Sequence, residues 1–207
     1  MPVCKLRFIN FVAYNFHFSM AAKRLFAVFI VLLLSACSKT DRVQEKAAEG
    51  TYFSIIEFAQ DQWYMYQGQP RSILKKVYFD GKTDSTYTNA FEVDWASVLK
   101  VFFETDISDP KYIGQYDFSA FEEATTTSKG FYYEAKNEKL YTRRIHITSD
   151  YFTDNVKSIY IEAEKSDRMG TKSLKLFYEP LQSISIHELE TSKTGQKKEL
   201  RVVYEYM

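Results

Sequence analysis

The apolar residues Tyr52, Ile55, Ile56, Ala59, Trp63 and Tyr66 follow the three-and-four spacing of an amphipathic helix, and Gly68 and Pro70 stand where it must stop. A second stripe, Trp95, Val98, Leu99, Phe102 and Phe103, follows Asp94, whose carboxylate suits an N-cap, and Pro110 lies beyond its end. Between the two, residues 72–79 and 83–88 flank Asp80-Gly81-Lys82. Asp-Gly between strand-like runs predicts a hairpin. After Pro110 the pattern turns to strands. Residues 131–135 and 140–148 flank a polar turn, 156–164 and 174–178 flank the segment from Ser166 to Gly170, and 181–189 and 199–206 flank a turn containing Gly195. In the last run Leu200, Val202, Tyr204 and Tyr206 share one face while Arg201, Val203 and Glu205 share the other, the alternation of a half-buried strand.

Successive strands joined by short polar turns make a meander. The expected fold is α+β: a curved antiparallel meander sheet of about six to eight strands with two helices packed on one face. The 16 tyrosines and 17 phenylalanines agree with a sheet, because flat rings pack well on a pleated surface. Residues 51–207 suffice for one such domain with a proper core.

The chain before that domain reads differently. After Met20 come Lys23-Arg24, an apolar run from Leu25 to Leu34, and then Ser35-Ala36-Cys37. A charged start, a short apolar stretch and a small-residue cleavage site are the layout of a secretory signal. Its apolar core is about half of the roughly 20 residues needed to cross a bilayer as a helix. Leu34-Ser35-Ala36-Cys37 resembles the lipobox of bacterial lipoproteins. That resemblance implies a signal peptide over residues 1–36, recognised through Leu34, Ser35 and Ala36, and a lipid on the thiol of Cys37. Residues 1–19 are apolar without period and do not suit a charged start, so translation is expected to begin at Met20. Residues 37–50 read as the lipidated cysteine and a flexible polar tether. The only other cysteine is Cys4, so processing leaves no partner for a disulfide and stability has to come from a core.

Charge bears on the choice of partner. The whole chain has 27 basic and 27 acidic residues, but the segment before Cys37 carries Lys5, Arg7, Lys23 and Arg24 and no acid. The remainder is mildly acidic, which argues against a nucleic acid partner.

Motifs for chemistry are thin. Gly81-Lys82-Thr83 resembles the end of a phosphate-binding loop, but Lys76 stands where the motif needs its first glycine. His146 and His187 fall on predicted strands near Glu162, Glu164 and Glu188, without the close spacing of a zinc motif, so no metal is expected. There is no Gly-x-Ser-x-Gly elbow, and lipid would block Cys37. Acid pairs such as Glu122-Glu123, or Asp106 with Asp109, are the material for the alternative reading, an envelope hydrolase working through carboxylates. No cofactor is expected. The aromatic residues form the core of the sheet or, if part of its concave face stays open beneath the helices, line a pocket for an apolar or glycan ligand.

Residues 52–116 resemble a group of uncharacterised lipoproteins of the phylum Bacteroidota, in Lys75-Lys76, Asp80-Gly81-Lys82, Asp94-Trp95, Phe102, Asp106-Ile107 and Pro110. The resemblance implies an envelope location and the same order of helix, hairpin, helix and strands; it brings no activity. Surface-exposed lipoproteins of that phylum carry acids directly after the cysteine, whereas Ser38-Lys39-Thr40-Asp41 places one acid behind a lysine. The expectation is therefore the periplasmic face of the outer membrane. There the domain would act as a non-catalytic binding or assembly module for an apolar ligand, a glycan or an envelope protein.

Overall fold

The computed structural model describes residues 52–66, 69–123 and 126–207, apart from the side chains of Tyr66 and Glu123. The expected signal peptide, Met20 start, tether, lipobox residues Leu34, Ser35 and Ala36, and Cys37 all lie outside the described residues.

Among the described residues two helices and nine strands follow in the order α1 (Ile55–Tyr66), β1 (Ser72–Phe79), β2 (Lys82–Asn89), α2 (Trp95–Phe103), β3 (Tyr116–Glu123), β4 (Ser128–Ala135), β5 (Thr142–Asp150), β6 (Val156–Ser166), β7 (Gly170–Glu179), β8 (Ser183–Ser192) and β9 (Lys197–Tyr206). A 3-10 turn, Pro110–Tyr112, precedes β3. The strands form one antiparallel sheet in the order β2-β1-β9-β8-β7-β6-β5-β4-β3. From β3 onward it is a plain meander, and the β1–β2 hairpin joins its far side by pairing Ile73 with Tyr206 and Phe79 with Leu200. The expected fold class is therefore the one observed, with nine strands rather than six to eight.

The hairpin forms where Asp-Gly predicts it. Asp80 (φ 45°) and Gly81 (φ 79°) both take the left-handed conformation that a two-residue turn requires. Lys82 belongs to β2 rather than to the turn. In α2 the Asp94 carboxylate accepts from Ser97 N–H at 3.2 Å, the cap expected of it.

The first helix starts later than its apolar stripe. Tyr52 precedes α1, and its hydroxyl accepts from Gly114 N–H at 2.9 Å and donates to Tyr116 O at 3.4 Å, so it secures the segment before β3 instead of joining the helix.

Strand alternation divides the side chains between two faces. One face carries Ile145, Ile147, Ile159, Ile161, Leu174, Leu176 and Ile184, all nearly inaccessible, and both helices pack there. Tyr178 of β7 is the hub: the rings of Phe58 (α1) and Phe102 (α2) meet it edge-on at 5.4 and 5.9 Å, and its hydroxyl donates to Gln62 Oε1 at 2.9 Å. Trp95 lies flat on Tyr206 at 5.9 Å and donates from Nε1 to Ala90 O. Burying a side chain of this size contributes on the order of 1.5–3 kcal/mol, so this face holds the stability of the domain.

Candidate functional site

Both described helices pack on the face that carries Ile145 and Ile161; among the described residues no helix lies over the opposite, outer face of the sheet. Its strand registers place Tyr132, His146, Tyr160 and Phe177 side by side on β4, β5, β6 and β7. The row continues across β8 and β9 as Ser185 and Val203 and reaches Lys76 on β1. Two residues along each strand runs a parallel row of charges: Glu134, Arg144, Glu162, Lys175, then His187 and Arg201. The middle of the sheet thus shows an aromatic stripe beside an alternating ionic one.

The aromatic stripe is built around a missing side chain. Gly130 lies two residues before Tyr132, and a Cβ there would stand 3.0 Å from Tyr132 Cε2 and 3.5 Å from His146 Nε2. Both rings lean back over the space that glycine leaves. They stack at 4.0 Å between centroids and 14° between planes. Phe121 of β3 meets Tyr132 edge-on at 5.5 Å and is 62% exposed, so the stripe opens to solvent at that side. Burial pushes the His146 imidazole below its ordinary range, with Thr148 Oγ1 3.4 Å from Nε2 as its polar neighbour.

In the ionic stripe Arg144 bridges Glu134 at 3.0 Å and Glu162 at 3.1 Å, and these carboxylates hold its guanidinium more firmly protonated. Glu162 also lies 3.7 Å from Lys175 and accepts from Tyr160 hydroxyl at 2.6 Å. Burial, then this hydrogen bond, pushes the Tyr160 phenol up to about 12. Lys76 closes on Glu205 at 2.8 Å. Charges of opposite sign alternate along the stripe, so it offers directional donors and acceptors without a field of one sign.

The residues singled out for chemistry are dispersed. His146 and His187 sit on β5 and β8, three strand spacings or about 14 Å apart across the sheet. His187 is engaged by Glu199 at 2.7 Å, and Glu188 by Lys172. Glu164 lies 3.4 Å from Arg143, on the rim of an open depression of about 990 Å³ that also contains Glu104, Tyr141 and Lys172. Asp106 and Asp109 have structural employment. Asp106 Oδ1 accepts from Ile55 N–H at 2.7 Å and Ile56 N–H at 3.3 Å, while Asp109 accepts from Lys111 N–H at 2.9 Å and starts the 3-10 turn. Glu122 is exposed on the edge strand β3. Among the described residues no group of three metal-ligating side chains converges.

The open pocket weighed from the aromatic content takes another form. Beneath the helices, Tyr116, Tyr133, Tyr178 and Tyr204 are buried in the core. The row of rings on which no described helix packs lies on the outer face. The signal for them was present as alternation, since Tyr132 and Glu134, Arg144 and His146, Tyr160 and Glu162, and Lys175 and Phe177 are each two apart. Only the register between strands lines them up.

Comparison with known proteins leaves the geometry to stand by itself: no family model, no curated protein and no solved structure matches this chain.

Proposed function

We propose that this chain is a bacterial envelope lipoprotein, of the Bacteroidota group it resembles, cleaved before Cys37 and lipidated there. Its domain serves as a non-catalytic binding or assembly module at the periplasmic face of the outer membrane. The observation that supports a binding role is the outer face, on which no described helix packs and where a half-buried aromatic stripe runs beside one of alternating charge. Rings supply apolar contact area and the fixed ion pairs supply oriented donors and acceptors, the two ingredients of a specific but uncharged ligand site. A glycan or a polar segment of another envelope protein has that chemistry.

Native mass spectrometry against a panel of envelope glycans and fatty acyl ligands tests the reading. The wild-type mature chain is expected to retain a panel member that Phe177→Ser and Arg144→Glu release, while Tyr64→Ser, on an exposed part of α1, keeps it. Loss with Tyr64→Ser alone would move the site to the helices, and hydrolysis of a panel member would replace a binding module with an enzyme. For the anchor, Cys37→Ala should leave the membrane fraction; persistence there would defeat the lipid assignment.

A further inference from the structure

At one end of the sheet the β5–β6 turn is fastened to Thr127 and Ser128, where β4 begins, in a single tip. Tyr151 N–H donates to Thr127 O at 2.9 Å, and Lys157 Nζ donates to Thr127 O at 3.3 Å and Ser128 Oγ at 3.1 Å. Lys129 Nζ meets Asp154 at 2.8 Å and lies 5.0 Å from the centre of the Tyr151 ring. The apex is closed from within: Asp150 Oδ1 accepts from Phe152 N–H at 3.0 Å, Thr153 N–H at 3.1 Å and Thr153 Oγ1 at 3.2 Å. On this fixed platform Tyr151 and Phe152 stand edge to face at 5.3 Å, with Phe152 77% exposed and Tyr151 40% exposed.

We infer that this tip is a second membrane contact, in which the Tyr151 and Phe152 rings enter the interfacial region of the bilayer that holds the lipid anchor. The inference rests on the lipoprotein reading. Two exposed rings at the apex of a turn need no shaped pocket in their partner, only a deformable apolar layer under a polar one. Aromatic rings flanked by lysine stems are the side chains that settle at such a boundary. Lys129 and Lys157 are paired with Asp154 and Asp150, and Glu122 and Glu123 follow at the end of β3, so the tip has no excess of positive charge and does not depend on anionic lipid. The chain allows the approach. Tyr52 is bonded to Gly114 and Tyr116 at the opposite end of β3 from the tip, and β3 of eight residues is about 27 Å long. The residues between Cys37 and Tyr52 reach up to about 50 Å when extended, enough for the tip to face the anchor's own membrane.

The experiment uses the full lipidated protein in phosphatidylcholine vesicles that contain a quencher on the acyl chains. Asn155→Cys puts a fluorescent label beside the tip with both rings intact, and Met169→Cys puts one on a turn at the other end of the sheet, where the side chain is 81% exposed. The label at 155 is expected to be quenched and that at 169 to report water. Adding Tyr151→Ser and Phe152→Ser should reduce the quenching at 155 about tenfold, with flotation unchanged. A floating chain whose label at 155 is unquenched, or is quenched regardless of the two serines, overturns the inference. So does equal quenching at 169. Flotation, compared between the wild type and Cys37→Ala, reports the anchor separately: a wild-type chain that does not float ends the lipoprotein reading and this contact with it.

Discussion

Replacing Asp106 with alanine separates a structural carboxylate from a catalytic one. The first turn of α1 has amides with no acceptor inside the helix. Ser54 Oγ accepts from Glu57 N–H at 3.1 Å, and Phe58 N–H reaches Ser54 O at 3.2 Å. That leaves Ile55 and Ile56, which share Asp106 Oδ1 from a loop 50 residues away, while Oδ2 accepts from Ser108 N–H at 3.2 Å and Ser108 Oγ at 2.6 Å. A lost cap usually costs about 1 kcal/mol and up to about 2. Here one carboxylate serves two helix amides and its own loop, and Ile55 is fully buried, so water cannot readily replace it. We expect Asp106→Ala to cost about 2 kcal/mol, roughly 30-fold in the folded-to-unfolded ratio. With a urea m value of about 2 kcal/mol/M the midpoint should fall by about 1 M at unchanged m. Asp106→Asn keeps an oxygen for Ile55 and Ile56 and should cost about half as much. Equilibrium unfolding followed by circular dichroism measures both. A midpoint that moves by less than about 0.3 M for Asp106→Ala refutes the capping account. A stable variant that has lost a hydrolytic activity would return Asp106 to the catalytic reading.

The core hub gives a second test. Tyr178→Phe and Gln62→Leu should each cost about 1–3 kcal/mol by leaving a buried partner unsatisfied, and the double variant should cost clearly less than their sum; additive unfolding energies would deny the Tyr178–Gln62 bond. His146 should make stability fall in mild acid. Its imidazole is held below its ordinary range by burial, so the unfolded chain takes up the proton first. That contribution is full above the unfolded value near 6.5 and is lost as pH falls through it toward the folded value. Thermal midpoints at about pH 7.5 and about pH 5.5 should therefore converge in His146→Phe relative to the wild type, and an unchanged difference would refute the assignment. At Gly130, alanine removes chain entropy that glycine has when unfolded but pushes Tyr132 by a few tenths of an ångström. Stability should stay within about 0.5 kcal/mol while the His146 ring signals move in NMR spectra, whereas unmoved rings would show that the stack does not depend on that space.

What the sequence made legible followed from strong local periods. Trp95 to Phe103 repeat with a helical period behind an Asp that can cap only one way, and Asp80-Gly81 has few conformations other than a tight turn. Legibility failed where a residue answers to something distant. Tyr52 continues the stripe of α1 but is claimed by Gly114 and Tyr116, and Asp106 looks like a free loop acid although it caps a helix 50 residues earlier. Strand β3 was absent from the expectation because, at the sheet edge, it is exposed on both faces: Phe118 and Phe121 fall on opposite faces among Asp117, Ser119 and Glu122, so no period of two emerges. The outer face was half legible. Each strand shows its own alternating pair, but which pairs become neighbours is a property of the registers.

Those registers are set by the other side. A slip of one residue in β6 would bring Tyr160 and Glu162 onto the helix-bearing face and expel Ile159 and Ile161, which are 1% and 0% exposed. Burial on one face therefore fixes the two stripes on the other without needing their own interactions to be strong. Those interactions are in fact weak, since exposed cross-strand and ionic pairs contribute about 0.2–1 kcal/mol each. It follows that Phe177→Ser, which removes one half-buried ring, and Arg144→Glu, which replaces two ion pairs by like charges, should lower stability by about 1–2 kcal/mol without losing the fold, and any binding they abolish in the folded chain belongs to the outer face itself. Stability of these variants within about 2 kcal/mol of the wild type is thus the condition on which the test of function stands, and a larger loss would mean that the outer face is part of what holds the sheet together.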